Sequence, residues 1–143
     1  MQESAGSVLS LNLRDREEIT VLPDNEYELQ ILRASAIDVT PDPATGKVGK
    51  KARIQVIVEA IGEPTSDDIF YTIFYPNDED TPKQRNKKID AIARFMEKIG
   101  LDPDVTELSL NDWIGCKFTA ILGEDEYEGQ PKNVIKKIVA KGR

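Results

Sequence analysis

The chain has 143 residues, 39% of them apolar, and a formal net charge of −7, which is typical of one soluble globular domain. It contains no histidine, which excludes Ser–His and Cys–His nucleophile pairs and histidine-containing metal sites. A single cysteine, Cys116, excludes an internal disulfide, and no apolar run approaches the ~18–20 residues of a membrane span.

The chain begins with a polar stretch that we interpret as a flexible arm, residues 1–18, ahead of a single domain, residues 19–143. Within the arm, VLSLNL has the alternation of a short edge strand. The turn residues of LPDN then precede the first predicted strand, in which Tyr27, Leu29 and Ile31 alternate with polar side chains.

A loop is predicted over residues 40–52, because TPDPATGKVGKKA is punctuated by prolines and glycines. Its glycines lack the spacing of a phosphate-binding loop. Two interpretations stay open: a solvated hairpin loop, or a flexible basic finger at the edge of a binding groove. The finger would consist of Lys47, Lys50, Lys51 and Arg53.

The central feature of the sequence is a pair of strand-like runs, ARIQVIVEA and IFYTIFYP, joined by a short polar connection. In the second run, Phe70 and Phe74 share a stripe with Thr72, and the opposite stripe carries aliphatic and tyrosine side chains. We predict that Phe70 and Phe74 are exposed as platforms for ligand stacking, with Tyr75 joining them at the strand end.

The second stripe of that run allows a competing interpretation. Ile69, Tyr71 and Ile73 belong to the core if the phenylalanines are exposed. In the alternative, Phe70 and Phe74 are core residues and the tyrosines face outward.

A helix is predicted to begin after Thr81, an N-cap residue followed by Pro82, and to end near Gly100. Its apolar residues recur at helical spacing, and its first two turns are basic. Either the acids of NDED offset these cations, or the cations and the helix N-terminus together meet phosphate oxygens. The phosphate candidates here are Arg85, Lys87 and Lys88.

The rest of the chain is predicted to hold a connector with a core tryptophan, Trp113, and two further strands. The fourth strand covers residues 115–122, the fifth begins at Asn133, and residues 123–131 form an acidic hairpin loop around Tyr127. The fold class is therefore mainly β with one main helix. The order of elements matches a five-stranded OB-like barrel with the helix between strands 3 and 4.

Several segments resemble a family of small bacteriophage proteins that are encoded among replication and recombination genes. They are LPDNEYELQILRA, the basic glycine-containing loop, IQVIVEA, the helix leading into IGLDP, WIGCKFTAIL, and the pair Gln130–Pro131 with NVIKKI. The resemblance covers roughly residues 19–139. Members of this family are regarded as single-stranded DNA-binding proteins of OB-like fold.

The resemblance implies sequence-tolerant binding of single-stranded DNA in the cytoplasm of an infected bacterial host. It also implies a homodimer or higher homo-oligomer and, as further partners, phage replication or recombination proteins. We expect no enzymatic activity, no metal, no cofactor and no membrane partner. The alternative is an acidic protein-interaction module, or a DNA mimic, that docks on a replication or host enzyme.

Overall fold

The structure, a computed structural model, describes residues 8–141 and is mainly β with one α-helix. Within these residues, two short 3₁₀ helices cover Leu13–Asp15 and Leu110–Trp113. The α-helix, α1, spans Pro82–Lys98 and lies between the third and fourth strands, as predicted. The strands are β1 (Asn25–Ile37), β2 (Arg53–Ala60), β3 (Ile69–Phe74), β4 (Lys117–Tyr127) and β5 (Gln130–Lys141).

The five strands form one antiparallel sheet in the order β3-β2-β1-β4-β5. The sheet is open, because its edge strands β3 and β5 contact each other without a hydrogen-bonded ladder. The curvature that brings the two edges together is helped by a bulge in β1 between Ile31 and Arg33.

A short segment, residues 20–22, connects the two ends of this curved sheet, and we call it the strap. At one end the Thr20 N–H donates to the carbonyl of Thr65 at 2.9 Å, in the β2–β3 connection. At the other end the Leu22 N–H donates to Asn133 Oδ1 on β5, and Asn133 Nδ2 donates back to the Leu22 carbonyl, each at 2.9 Å. The strap therefore joins the connection beside one sheet edge to the strand at the other edge.

An aromatic cluster fills the core between the sheet and α1. Phe95 of the helix stacks on Tyr71 of β3, with ring centroids 5.6 Å apart. Its ring also meets Trp113 at 5.3 Å and Phe118 of β4 at 5.6 Å. The predicted core position of Trp113 is confirmed, because its side chain is fully buried.

The helix begins and ends where its sequence predicts. Thr81 is the N-cap: its hydroxyl accepts from the Gln84 N–H at 3.2 Å, and Gln84 Oε1 accepts from the Thr81 N–H at 2.9 Å. This capping box satisfies two of the orphan donors at the first turn. Gly100, just beyond the C-cap residue, has a φ of 89°, which favours glycine and ends the helix.

Two sequence predictions are wrong. Residues 8–12 of VLSLNL are not in a strand, because Asn12 instead caps a 3₁₀ turn by accepting from the Arg14 N–H. The acidic loop predicted over residues 123–131 is a β-hairpin whose strands continue to Tyr127 and restart at Gln130. Only Glu128 and Gly129 turn, with φ of 52° and 78°, as a type I′ turn requires. The predicted arm, residues 1–18, is exposed from residue 8 onward, and residues 1–7 lie outside the described part.

Candidate nucleic-acid interface

The outer face of β1, β2 and β3 is built from directly opposed residues that share one side of the sheet. The three cross-strand rows are Phe70–Ile57–Arg33, Thr72–Gln55–Ser35 and Phe74–Arg53–Ile37. Each phenylalanine therefore shares its row with an arginine, and the middle row is polar. We call this surface the outer face.

Phe70 and Phe74 are 59% and 60% exposed, as predicted, whereas Ile69 and Ile73, each directly before one of them, are buried. The alternation of β3 explains the difference, because successive side chains point to opposite sides of the sheet. The competing interpretation, with the tyrosines outward, is wrong for Tyr71, since it stacks on Phe95. Burial also raises the pKa of the Tyr71 phenol.

Tyr75 belongs to the inward alternation of β3 rather than to the outer face. Its side chain is half-buried against the core, and its backbone N–H donates to the Ala52 carbonyl at 3.0 Å. It borders an apolar cleft beside α1 together with Ile89 and Leu108. The outer face thus has two aromatic platforms on β3, and the Tyr75 side chain packs against the core on the opposite side of the sheet.

An open groove of about 850 Å³ lies at the Phe70 end of the outer face. Its floor includes Phe70, Thr72 and Gln55 of the face. One wall is the strap with the preceding Ile19, and another is the tip of the β4–β5 hairpin. The groove therefore extends the outer face toward β5.

Tyr127 and Lys132, which the sequence analysis did not assign to the site, line this groove. Tyr127 is 61% exposed, and Lys132 Nζ lies 4.8 Å from the centroid of its ring, a cation–π distance. The sequence feature that could have indicated this role is a single aromatic residue, Tyr127, within an acidic hairpin. Only the two-residue turn, which extends both strands, shows that this ring lines the groove floored by Phe70.

Acidic side chains also border the groove. Asp67 and Asp68, in the β2–β3 connection, are exposed and line it. In the described part of the chain, no lysine or arginine forms an ion pair with either carboxylate. The groove thus combines aromatic rings with two carboxylates and the Lys132 ammonium. Outside it, Arg33 on β1 and Arg53 on β2 lie in the rows of Phe70 and Phe74.

The basic loop 40–52 is held against the turn that precedes α1. The Val48 N–H donates to Asp78 Oδ2 at 2.6 Å, and the Asp78 N–H donates to the Val48 carbonyl at 3.1 Å. Lys50 Nζ lies 3.9 Å from a carboxylate oxygen of Glu79, and both side chains are exposed. The loop is therefore tethered at its centre, while Lys47 and Lys51 stay exposed on either side.

Arg53 is the predicted phosphate contact that the structure places on the outer face itself, opposite Phe74. Its Nη1 donates to the Lys51 carbonyl at 2.8 Å and lies 3.7 Å from Asp38 Oδ2. These contacts hold the guanidinium against the β1–β2 connection. The Asp38 pair is at the surface, so we expect it to contribute about 0–1 kcal/mol and to exchange readily for a phosphate.

The helix cations are arranged differently from the expected phosphate cluster. Lys88 Nζ donates to Asp80 Oδ1 at 2.9 Å, so local acids neutralise this cation. Arg85 borders the apolar cleft beside Tyr75, and Lys87 is exposed on the helix surface. None of the three pairs with a row of the outer face.

Asp80 links this helix start to the preceding turn and should give the stability a pH dependence. The Asn77 N–H, donating at 2.9 Å, and the Lys88 ammonium hold the pKa of the Asp80 carboxyl below its ordinary value, against the opposing effect of burial. A lowered folded-state pKa stabilises the fold above the ordinary value, about 4, and this contribution is lost as the pH falls through the lowered pKa.

We therefore expect Asp80→Asn to lower the unfolding free energy at pH 7. The difference in unfolding free energy between the variant and wild type should become smaller below about pH 4. Urea titrations of both proteins at pH 7 and pH 3 measure this. A constant gap across the two pH values would contradict a role for the Asp80 charge.

In comparisons with known proteins, no family model matches the chain and no curated protein does. Across residues 8–141, no helix has both the length and the apolar character for crossing a bilayer. In that same part of the chain, no three cysteine or acidic side chains are grouped so that they could hold a metal ion.

Proposed function

We propose that this protein binds single-stranded DNA without sequence preference, on the outer face of its sheet. The observation that carries the proposal is the exposure of Phe70 and Phe74 on one stripe of β3, each in a row with an arginine. Exposed aromatic rings beside cations are the elements that sequence-tolerant single-strand binding requires.

The OB-like barrel is part of the same proposal. The strand order, the helix between β3 and β4, and the contact between β3 and β5 support an OB-like barrel that is left open. In OB folds, the surface of strands 2 and 3 is the oligonucleotide face, framed by the β1–β2 and β4–β5 loops. The outer face, the loop 40–52 and the β4–β5 hairpin occupy the corresponding positions.

The proposed mechanism joins stacking with phosphate neutralisation. Bases stack on Phe70 and Phe74, each contributing about 1–3 kcal/mol whatever the base, since every base has a π-face. Arg33 and Arg53 contact phosphates beside the rings, and Lys47 and Lys51 extend the positive charge along the adjoining loop. Arg33 was absent from the sequence-based candidates because its position opposite Ile57 depends on the bulge in β1.

The resemblance to bacteriophage single-stranded DNA-binding proteins supports a role in phage replication or recombination, without catalysis. A homo-oligomer in the bacterial cytoplasm, with phage replication or recombination proteins as further partners, belongs to the same proposal. It predicts that purified protein elutes as a dimer or larger species.

Fluorescence titration tests the proposal directly. We expect fluorescently labelled oligo(dT) to gain anisotropy on binding at low salt, and labelled duplex DNA of equal length to bind more weakly. Three or four phosphate contacts predict a log–log salt slope of about −2 to −3 on single strands. Failure of oligo(dT) to bind at low salt would contradict the proposed function.

A second candidate function is a protein-interaction module. The tip of the β4–β5 hairpin favours it, because four of its residues are exposed acids without a cation partner in the ion pairs of the described residues. They are Glu124, Asp125, Glu126 and Glu128. Such a surface can imitate the charge of DNA, and this candidate becomes the stronger one if oligonucleotides do not bind.

A further inference from the structure

We propose that the groove beside Phe70 selects unpaired strands. It admits a nucleobase, while Asp67 and Asp68, which we call its acidic wall, keep phosphates outside. The inference rests on the proposed function and adds to its two phenylalanines a third aromatic contact, Tyr127, and two residues that determine specificity, Asp67 and Asp68. These three residues and Phe70 line the same groove.

The aromatic and apolar lining of the groove suits a planar heterocycle. Phe70 forms part of the floor and Tyr127 part of the hairpin wall, and both rings are more than half exposed. Ile19 and Val21 of the strap side, together with Pro131 of the hairpin, add apolar surface. A base leaving the stack on β3 finds here another aromatic ring beside these apolar side chains, within a groove that also has polar lining residues.

The charges around the groove orient the strand. Asp67 and Asp68 lie at the groove beside Phe70, and the Lys132 ammonium lies on the hairpin side, against the Tyr127 ring. Arg53 on β2 directly opposes Phe74, and Arg33 on β1 is the third member of the Phe70 row. The two carboxylates repel the phosphates of a bound strand, and the two arginines attract them. The backbone of a bound strand therefore follows the arginines, and its bases point toward Phe70 and the groove.

A duplex cannot satisfy this arrangement. Its bases are paired, so placing one in the groove requires unpairing and unstacking, which weakens duplex binding relative to single-strand binding. Its second backbone would also bring phosphates toward the acidic wall. The groove thus penalises duplex DNA twice, through its shape and through its charge.

The Tyr127 contact is tested with Tyr127→Ala and the control Tyr127→Phe. We expect Tyr127→Ala to weaken oligo(dT) binding by about 5- to 150-fold, the range measured for a base stacked on an aromatic ring. Tyr127→Phe keeps the ring and should bind within about threefold of wild type. Because the side chain is exposed, circular dichroism should show both variants folded.

The acidic wall is tested with the double variant Asp67→Asn/Asp68→Asn. We expect its duplex affinity to rise more than its single-strand affinity, so that the ratio of the two falls by about 3- to 10-fold. A matched control, Glu97→Gln/Asp104→Asn, removes two exposed acids that do not line the groove. That control should leave the ratio unchanged.

The outcomes separate this inference from the function on which it rests. If the wild-type protein does not bind oligo(dT), the proposed function fails. If wild type binds but Tyr127→Ala binds equally well, or the acid variant keeps the wild-type ratio, the groove is not the selective element and only the inference fails. An equal change in the Glu97/Asp104 control would also overturn it, because net charge would then explain the effect.

Discussion

Replacing Phe70 and Phe74 together with alanine is expected to weaken oligo(dT) binding by at least about 30-fold. Each ring contributes about 1–3 kcal/mol through base stacking, and about 1.4 kcal/mol corresponds to a tenfold change in affinity. Both rings are about 60% exposed, so their loss removes little packing. Equilibrium titration at a fixed salt concentration measures the change.

The matched control is Val105→Ala/Ile114→Ala, which shortens two exposed apolar side chains outside the outer face. Its affinity should equal that of wild type. The salt slope of the Phe70/Phe74 variant should also stay near the wild-type value, since the phosphate contacts remain. Unchanged affinity in the phenylalanine variant would remove the main support for the proposed interface.

Replacing Phe95 with alanine is expected to lower the free energy of unfolding by about 3–5 kcal/mol. Its ring contacts Tyr71, Trp113 and Phe118 at centroid distances of 5.3–5.6 Å, so the deletion opens a cavity where helix and sheet meet. Aromatic contacts of this geometry add to the burial term. Urea unfolding followed by far-UV circular dichroism measures the loss.

Phe95→Leu is the companion variant, and it should cost less because it keeps most of the apolar volume. If both substitutions lower the unfolding free energy by a similar and small amount, the aromatic cluster does not hold the helix to the sheet. Because Tyr71 rests on Phe95, the alanine variant should also weaken DNA binding more than Phe95→Leu does, by loosening the strand that carries the phenylalanines.

Local patterns were sufficient to predict the central hairpin and the helix. The strict alternation of β3 distinguishes Phe70 and Phe74 from Ile69 and Ile73, and burial in the structure follows it. Thr81 with Pro82 marks the helix start, because capping depends on residues within one turn. These features depend on residues that are close in sequence, so they can be predicted from a single sequence.

The groove could not be predicted in this way. Its strap depends on contacts from Thr20 to Thr65 and from Leu22 to Asn133, the latter 111 residues apart. The hairpin was mistaken for a loop because glycine, proline and acidic residues have low strand propensity, which cross-strand pairing with β5 overrides here. Tyr127 was consequently not recognised as a groove residue.

The strap has a consequence for the order in which parts of the molecule fold during synthesis. Leu22 leaves the ribosome 111 residues before its partner Asn133, so their hydrogen bonds must await synthesis of the whole intervening chain. Such distant closure slows folding relative to local pairing. The central hairpin and α1 can assemble earlier, whereas nascent chains that end before Asn133 lack the groove wall formed by Asn133 and its neighbours.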